Sequence, residues 1–390
     1  MPLWAHRQIE DLKQAEHFVN WWIDNRQIAN GEFGGGLSDD SDLLHQWPPL
    51  ALMGAQPDKI RASQAAAMEA IYRSGMMTDG LNTIRADELH SYEEGVNAVA
   101  QYAQLNRDSP RAVERLMETA RRYDFLTEVN AAGHRHFVSN SFSHDKATRE
   151  GPWQRQKGNN FLIFHPGILL VEWNGAPQVR DIILQTLDGY LAHQSPATKG
   201  PGVTLPAQID WPSDENIVTA VGAGGSGLAG ATSSFLAAWR WTGDEKYIQP
   251  LLPDGATGMA AVGPDMLTGL NKREVWGPEM VERANAVEGY SRSAVGGRVA
   301  SPLAMSRFGA WQMTGDKAYL EPLYAEEIQS AAQRMEIMTT GELWTDRVQV
   351  PTEMLQRSRL GGVASRRGQT YPGHVISWRF EIGRASCRER

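Results

Sequence analysis

Apolar positions recur at helical spacing along most of this chain, and the helical runs stop at turns centred on glycine or asparagine. The pattern is clearest where the chain repeats itself. Residues 238–251 read AWRWTGDEKYIQPL and residues 310–323 read AWQMTGDKAYLEPL, with eight of fourteen positions identical at an offset of 72. Apolar residues lead up to Trp239 and Trp311, which are expected in the core. Thr-Gly then stops the helix, with Gly243 and Gly315 suited to the left-handed position just past a helix end. Asp244 and Asp316 are placed to cap the next helix, whose Tyr and Ile or Leu face inward. Each phrase predicts two helices joined by a tight turn.

Weaker copies run upstream: LALMGAQPDKI turning at Gly54, YAQLNRDSPRAV near Asn106 and LVEWNGAPQVRDI at Asn174. The turns fall near 54, 106, 174, 243 and 315, at spacings of 52, 68, 69 and 72. Five helical hairpins in succession predict an all-α, closed or curved helical array. The opposite ends of the hairpins are long segments rich in Gly, Trp, His and carboxylates: 30–47, 76–97, 124–165, 194–227 and 253–300. Loops of that length in a compact fold are functional or disordered, and these carry too many aromatics for disorder.

Composition narrows the function. The chain has 390 residues, 41% hydrophobic and 22% charged, with a net charge of −8 and no basic block. That balance argues against nucleic acid as the main partner. No run approaches the roughly 18 apolar residues of a membrane helix. Thirteen Trp and ten Tyr supply flat faces that suit stacking on ligands as well as core packing. The single cysteine, Cys387, excludes an internal disulfide and lies in a basic tail, 384–390, that reads as non-native. No signal peptide opens the chain, so localisation stays open; a leader lost from the N-terminus would fit a periplasmic or secreted protein. Residues 373–382 alternate like a strand, so 351–383 is expected either to end the helical array or to begin a β domain.

The loops carry the candidate chemistry. In the first, Gly34, Gly35 and Gly36 permit close backbone approach to a ligand, and Asp39, Asp40 and Asp42 follow at the start of a helix. Capping by Ser38 or Asp39 explains one or two of those acids but not three. In the second, Asp87, Glu88, His90, Tyr92, Glu93 and Glu94 crowd into eight positions, enough for a base, an acid and an orienting group. Ser91 and Glu94 also fit a capping box, which would make Glu94 structural.

The third loop holds His134, His136, His144 and His165. His134-x-His136 in a β-like run places both rings on one face. That spacing is a weak metal signal with no Cys or HExxH beside it. Proton transfer or sugar contact is the stronger reading, and no metal or cofactor is expected. Arg149, Glu150 and Trp153, with Asn140 nearby, resemble a clamp for a carboxylate and a ring face; a salt bridge and a packed Trp are the structural alternative. In the fourth loop, Gly222, Gly224 and Gly227 match G-x-G-x-x-G, but the helix that follows enters a helical turn rather than a parallel strand, so a dinucleotide site is rejected. Asp210, Trp211, Asp214 and Glu215 are secondary candidates there. In the fifth, Trp276, Glu279, Glu288, Tyr290 and Arg292 are placed to line a cleft, although part of the segment reads as a short helix with a solvated charged face.

Repeated helical hairpins with long aromatic, acidic loops at one end resemble the (α/α)6 toroid of six-hairpin glycosidases and toroid polysaccharide lyases. The resemblance spans roughly residues 5–350 in architecture, and it implies a catalytic domain over 1–350 with its sixth hairpin degenerate or incomplete. It implies carbohydrate chemistry in the loop cleft, on a uronate-containing poly- or oligosaccharide. A hydrolase would pair one of Asp39, Asp40 or Asp42 with Glu88 or Glu93 as acid and base or nucleophile. A lyase would use His90, His134, His136 or Tyr92 for proton transfer, with Arg149 and Asn140 neutralising the uronate carboxylate. Acids in two loops place the hydrolase slightly ahead. A non-catalytic helical-repeat binding module is the third reading, disfavoured because such repeats usually have shorter periods.

Overall fold

The structure, a computed structural model, describes residues 1, 3–34, 36–45, 47–196, 203–217, 230–251, 281, 285, 310, 311 and 313–319. The helices follow chain order: α1 (Leu3–Arg26), α2 (Leu37–Leu44), α3 (Pro48–Leu52), α4 (Pro57–Arg73), α5 (Glu88–Ser91), α6 (Asn97–Leu105), α7 (Pro110–Arg121), α8 (Tyr123–Leu126), α9 (His165–Asn174), α10 (Pro177–Leu191) and α11 (Thr232–Thr242). Among the described residues the chain is helix-rich, with a few strands of two or three residues confined to the long loops.

All five predicted turns end a helical run. Gly54, Gly175, Gly243 and Gly315 have φ of +90°, +79°, +71° and +73°, the left-handed region that glycine enters without steric cost. Near 174 it is Gly175, not Asn174, that takes this conformation. The two copies of the repeated phrase turn alike. Gly243 N and Gly315 N each donate to the carbonyl four residues back, Trp239 O and Trp311 O, at 2.7 Å. Thr242 Oγ1 and Thr314 Oγ1 donate to Ala238 O and Ala310 O at 2.8 and 2.7 Å. Asp244 and Asp316 accept from Lys246 N and Ala318 N. The capped elements are 3-10 turns, Glu245–Tyr247 and Lys317–Tyr319, rather than the α-helices expected. Trp239 and Trp311 are half-buried, and Trp239 packs against the main core.

Each hairpin closes on itself: α3 on α4, α6 on α7, α9 on α10. Successive hairpins then pack in chain order, α4 on α6, α6 and α7 on α9, and α9 and α10 on α11. The main core follows this path and includes a run of aromatic rings. Phe161 stacks on Tyr190 at 5.1 Å, and Phe137, Phe161 and Phe164 meet at 4.9–5.9 Å between centroids. A second cluster at the N-terminal end centres on Phe18, Trp22, Phe33 and Trp47. Tyr123 joins helices to loops: its hydroxyl donates to Ile163 O at 3.0 Å and accepts from Gly167 N at 2.8 Å, near the start of α9.

The long loops interlock through short strands. β1 (Met77–Thr78) and β2 (Leu81–Asn82) form a hairpin. β3 (Ala86–Asp87) pairs antiparallel with Ser141–Phe142, joining the second loop to the third; β4 (Thr127–Val129) and β5 (Arg135–Phe137) form a hairpin within the third, and Ser141–Phe142 is β6. β7 (Arg155–Lys157) pairs with Gln208–Asp210, joining the third loop to the fourth. β8 (Ser195–Pro196) pairs with β9 (Val203–Thr204); Gln208–Asp210 is β10, and it also pairs with β11 (Glu215–Asn216). The first loop meets the second where α2 packs on the π-helical turn Tyr92–Val96. Four loops thus form one continuous layer, at the hairpin ends opposite the short turns. Among the described residues no helix is long and apolar enough to cross a membrane.

Candidate functional site

The second loop supplies the centre of this layer. Asp87 caps α5, its Oδ1 accepting from Leu89 N and His90 N at 3.1 and 3.0 Å, while its Oδ2 meets His90 Nδ1 at 2.7 Å. The capping box expected of Ser91 and Glu94 does not form. A π-helical turn occupies Tyr92–Val96 instead, with Glu94 at non-helical φ −96°, ψ 22°. Single π turns inside helices are frequent at functional sites because the extra residue re-aims neighbouring side chains. Here the turn opens on Tyr92, whose hydroxyl lies 2.8 Å from His165 Nδ1 at the first residue of α9.

Burial sets the protonation of that pair. It pushes His165 down to about 4, so the imidazole is neutral across the physiological range. It pushes Tyr92 well above the usual tyrosine range, so the phenol keeps its proton at rest. His90 moves the other way: the hydrogen bond from its ring to Asp87, against the cost of burial and with Glu94 and Glu93 adding attraction, lifts it to about 9. His90 is therefore a cation at neutral pH. Glu88 is buried beside it, with Lys157 Nζ 3.2 Å from its Oε2. Burial raises the Glu88 carboxyl, and the Lys157 charge opposes that rise without cancelling it.

Two acids of the first loop, Asp40 and Asp42, have structural partners. Asp40 is fully buried and its Oδ2 accepts from Phe33 N at 2.8 Å and Gly34 N at 3.4 Å, so it folds the glycine-rich segment back onto α2. Asp42 pairs with His45 at 3.1 Å. The cap expected from Ser38 or Asp39 is absent, because Gly36 holds the N-cap position of α2 without a side-chain bond. Glu93 lies in the π turn, and its carbonyl accepts from Ser41 Oγ at 3.4 Å.

Asn140 is buried next to Glu88, its carbonyl accepting from Glu88 N at 3.0 Å. Its Nδ2 donates to Pro152 O at 3.2 Å, while its Oδ1 has no hydrogen-bond partner. Arg149 is paired with Glu128 and lies 5.5 Å from the centre of the Trp211 ring, so the expected clamp is closed on a protein carboxylate. Glu150 is exposed, and Trp153 is 39% exposed on a 3-10 turn. His144 stands between Asp79 and Asp145 at 4.0 and 3.8 Å. Trp276, Glu279, Glu288, Tyr290 and Arg292 lie outside the described residues, as do Gly222, Gly224 and Gly227.

His134 and His136 lie on one face as expected, but their partners come from elsewhere. Asp214, in the turn between β10 and β11, and His193, just past α10, complete a group whose ligand-type atoms all lie within 4.8 Å of one another. His134 Nδ1 is 2.9 Å from Asp214 Oδ2; His136 Nε2 and His193 Nε2 are 3.1 and 3.4 Å from Oδ1. The three rings pack with centroids 5.3–6.0 Å apart. Burial and the adjacent His193 push His136 down to about 4. Burial alone would raise Asp214, but hydrogen bonds from Asn130 and His134 outweigh it and hold the carboxyl below its usual range. β7 joins this group to the Tyr92 region. Gln156 Oε1 accepts from Phe137 N at 3.1 Å and lies 3.4 Å from His136 Nδ1, and the next residue is Lys157.

Two of these residues, His193 and Lys157, were not named by sequence reasoning, and His165 was named among the third-loop histidines but given no role. His165 sits before a Pro-Gly helix start, and His193 follows a helix end; neither local pattern differs from ordinary punctuation. No family model matches this chain, and no curated protein matches it.

Proposed function

We propose that this chain is a carbohydrate-active enzyme built on an (α/α)6-type toroid, and that it cleaves a uronate-containing glycan by β-elimination. The observation that carries this reading is the Tyr92–His165 pair, a protonated phenol on a neutral imidazole at 2.8 Å, opened into the loop layer by a π turn. In this mechanism the Tyr92 proton passes to His165 as the phenolate takes the proton from C5 of the uronate. The C4–O bond breaks as the C4=C5 double bond forms, Tyr92 gives the C5 proton to the leaving oxygen, and His165 returns its proton to Tyr92. The carbanion-like charge spreads onto the uronate carboxylate, which needs neutralising groups. His90, as a cation, is the candidate; the Asn140 amide N–H is given to Pro152 O and its unpartnered Oδ1 is an acceptor, so it does not neutralise a carboxylate.

A glycoside hydrolase is the second reading, and one observation favours it. Glu88 is a buried carboxyl raised above its usual range, which is the condition of a general acid. Against it, Asp40 and Asp42 are engaged with Phe33, Gly34 and His45, which narrows the first-loop candidates for a partner of Glu88 to Asp39. Product analysis on a panel of acidic and neutral glycans separates the readings. Reducing ends together with the ultraviolet absorbance of an unsaturated uronate support elimination; reducing ends alone support hydrolysis. Absence of both signals from the folded full chain revives the binding module.

The pH dependence is a second expected outcome. kcat/KM for an acidic glycan should fall below about pH 4, where His165 takes up a proton, and above about pH 9, where His90 loses one, with a plateau between. The same groups act on stability. His165 is depressed from 6.5, so its contribution is complete above that value and is lost as pH falls through about 4. His90 is raised from 6.5, so its contribution is complete below that value and is lost as pH rises through about 9. Replacing His90 with glutamine should remove the alkaline limb and raise KM. An alkaline limb that stays in place removes His90 from the mechanism.

A further inference from the structure

We propose that His134, His136, His193 and Asp214 form a zinc site that locks the third and fourth loops together. The proposal is independent of the reaction assigned above. The donor set is three imidazole nitrogens and one carboxylate with no thiolate, which suits a borderline divalent ion and zinc in particular. Bond lengths of about 2.0–2.2 Å in a tetrahedral zinc centre put the donor atoms about 3.3–3.5 Å apart. His136 and His193 lie 3.1 and 3.4 Å from Asp214 Oδ1, close to that spacing, and His134 reaches Oδ2 of the same carboxylate at 2.9 Å.

Two further observations point to a cation rather than to a plain histidine–aspartate network. His193 is only 9% exposed, and its Nε2 faces Asp214 yet makes no hydrogen bond. A buried imidazole nitrogen without a partner costs free energy unless something else satisfies it. The supporting contacts also match those of a metal centre, where outer groups orient the ligands. Asn130 holds the carboxylate through Nδ2, and its Oδ1 accepts from His134 N at 3.1 Å; Gln156 stands 3.4 Å from the far nitrogen of His136. Asp214 itself has a φ of +63°, a conformation rarely adopted by a non-glycine residue, which aims its side chain at the three rings. His193 also lines a pocket of about 290 Å³ with Ser195, Thr204 and Asn216, which gives an ion a route in.

The ligands come from the β4–β5 hairpin, the end of α10 and the β10–β11 turn, so one ion ties three segments of the loop layer. Because β10 pairs with β7, the same ion steadies the strand that presents Lys157 to Glu88.

The test is metal content of the full chain, loaded with zinc sulfate, gel-filtered into metal-free buffer and read by plasma mass spectrometry. About one zinc per chain is expected. Removal with a chelator should lower the melting temperature, and zinc should restore it. His193→Ala and Asp214→Asn should each lose the zinc, while His144→Ala, outside the group, should keep it. Should either cluster variant fail to fold, cobalt loaded into the unaltered chain gives a second readout: intense visible bands of a tetrahedral centre support the site, and weak octahedral bands overturn it. Absence of bound zinc in the unaltered chain, or full zinc in both cluster variants, also overturns it.

Discussion

Tyr92→Phe is expected to reduce elimination by about a thousandfold, within the range that a positioned acid or base contributes. The change removes one oxygen and leaves the ring. The hydroxyl bonds the buried His165 Nδ1 at 2.8 Å, and leaving that nitrogen without this partner should cost about 1–3 kcal/mol, a few degrees at most in a chain of this length. The two readouts therefore separate: product formation collapses while the melting temperature barely moves. His165→Ala should fall by a similar factor, and the double variant should be little worse than either single one, because residues acting as one proton-transfer unit are non-additive. Glu88→Gln supplies the contrast. Under elimination it should retain most of the activity, and under hydrolysis it should be the most damaging of the three. Retention of more than about a tenth of the activity in Tyr92→Phe would sink the elimination mechanism.

The chain's local signals reached as far as the helices and stopped at the pairings between loops. A left-handed residue after a helix is a local event, so Thr-Gly-Asp at 242–244 and 314–316 marks its turn whatever surrounds it. The crowding of Asp87 to Glu94 was equally local and was visible. Its internal arrangement was not, because the capping-box pattern at Ser91 and Glu94 competes with a π turn that only α2 and β2 packing around it can select. Asp40 read as a site acid, and it turned out to close the glycine segment behind it. The histidine group was harder still. His193 and Asp214 lie roughly 60 to 80 residues beyond His134, and the strands that align them are two or three residues long, too short for an alternation pattern.

Gly80→Ala is expected to destabilise the fold by about 4 kcal/mol, the sum of an unfavourable left-handed alanine and a backbone collision. Gly80 has φ +76°, and an added Cβ would sit 2.2 Å from Thr119 N and 2.5 Å from Glu118 C, both backbone atoms of α7. A flexible side chain can move aside; a helix backbone can do so only by lifting the β1–β2 hairpin away from it. That hairpin is also tied to α7 by Thr119 Oγ1, which donates to Gly80 O at 2.9 Å. The melting temperature should fall by roughly 5 °C in a domain of this size. Gly54→Ala is the control: φ is +90°, but nothing lies within 4 Å of the added carbon, so the loss should stay near 1 kcal/mol. The consequence reaches the site. Asn82, at the end of β2, lies against the Gly95 backbone, where an added Cβ would come within 1.9 Å of Asn82 Oδ1. Gly95 belongs to the π turn that carries Tyr92. A hairpin displaced from α7 therefore disturbs the seat of the Tyr92 hydroxyl, and Gly80→Ala should lose activity even at temperatures where it remains folded. Equal melting temperatures for Gly80→Ala and Gly54→Ala would mean that the close approach to α7 does not govern this corner of the fold.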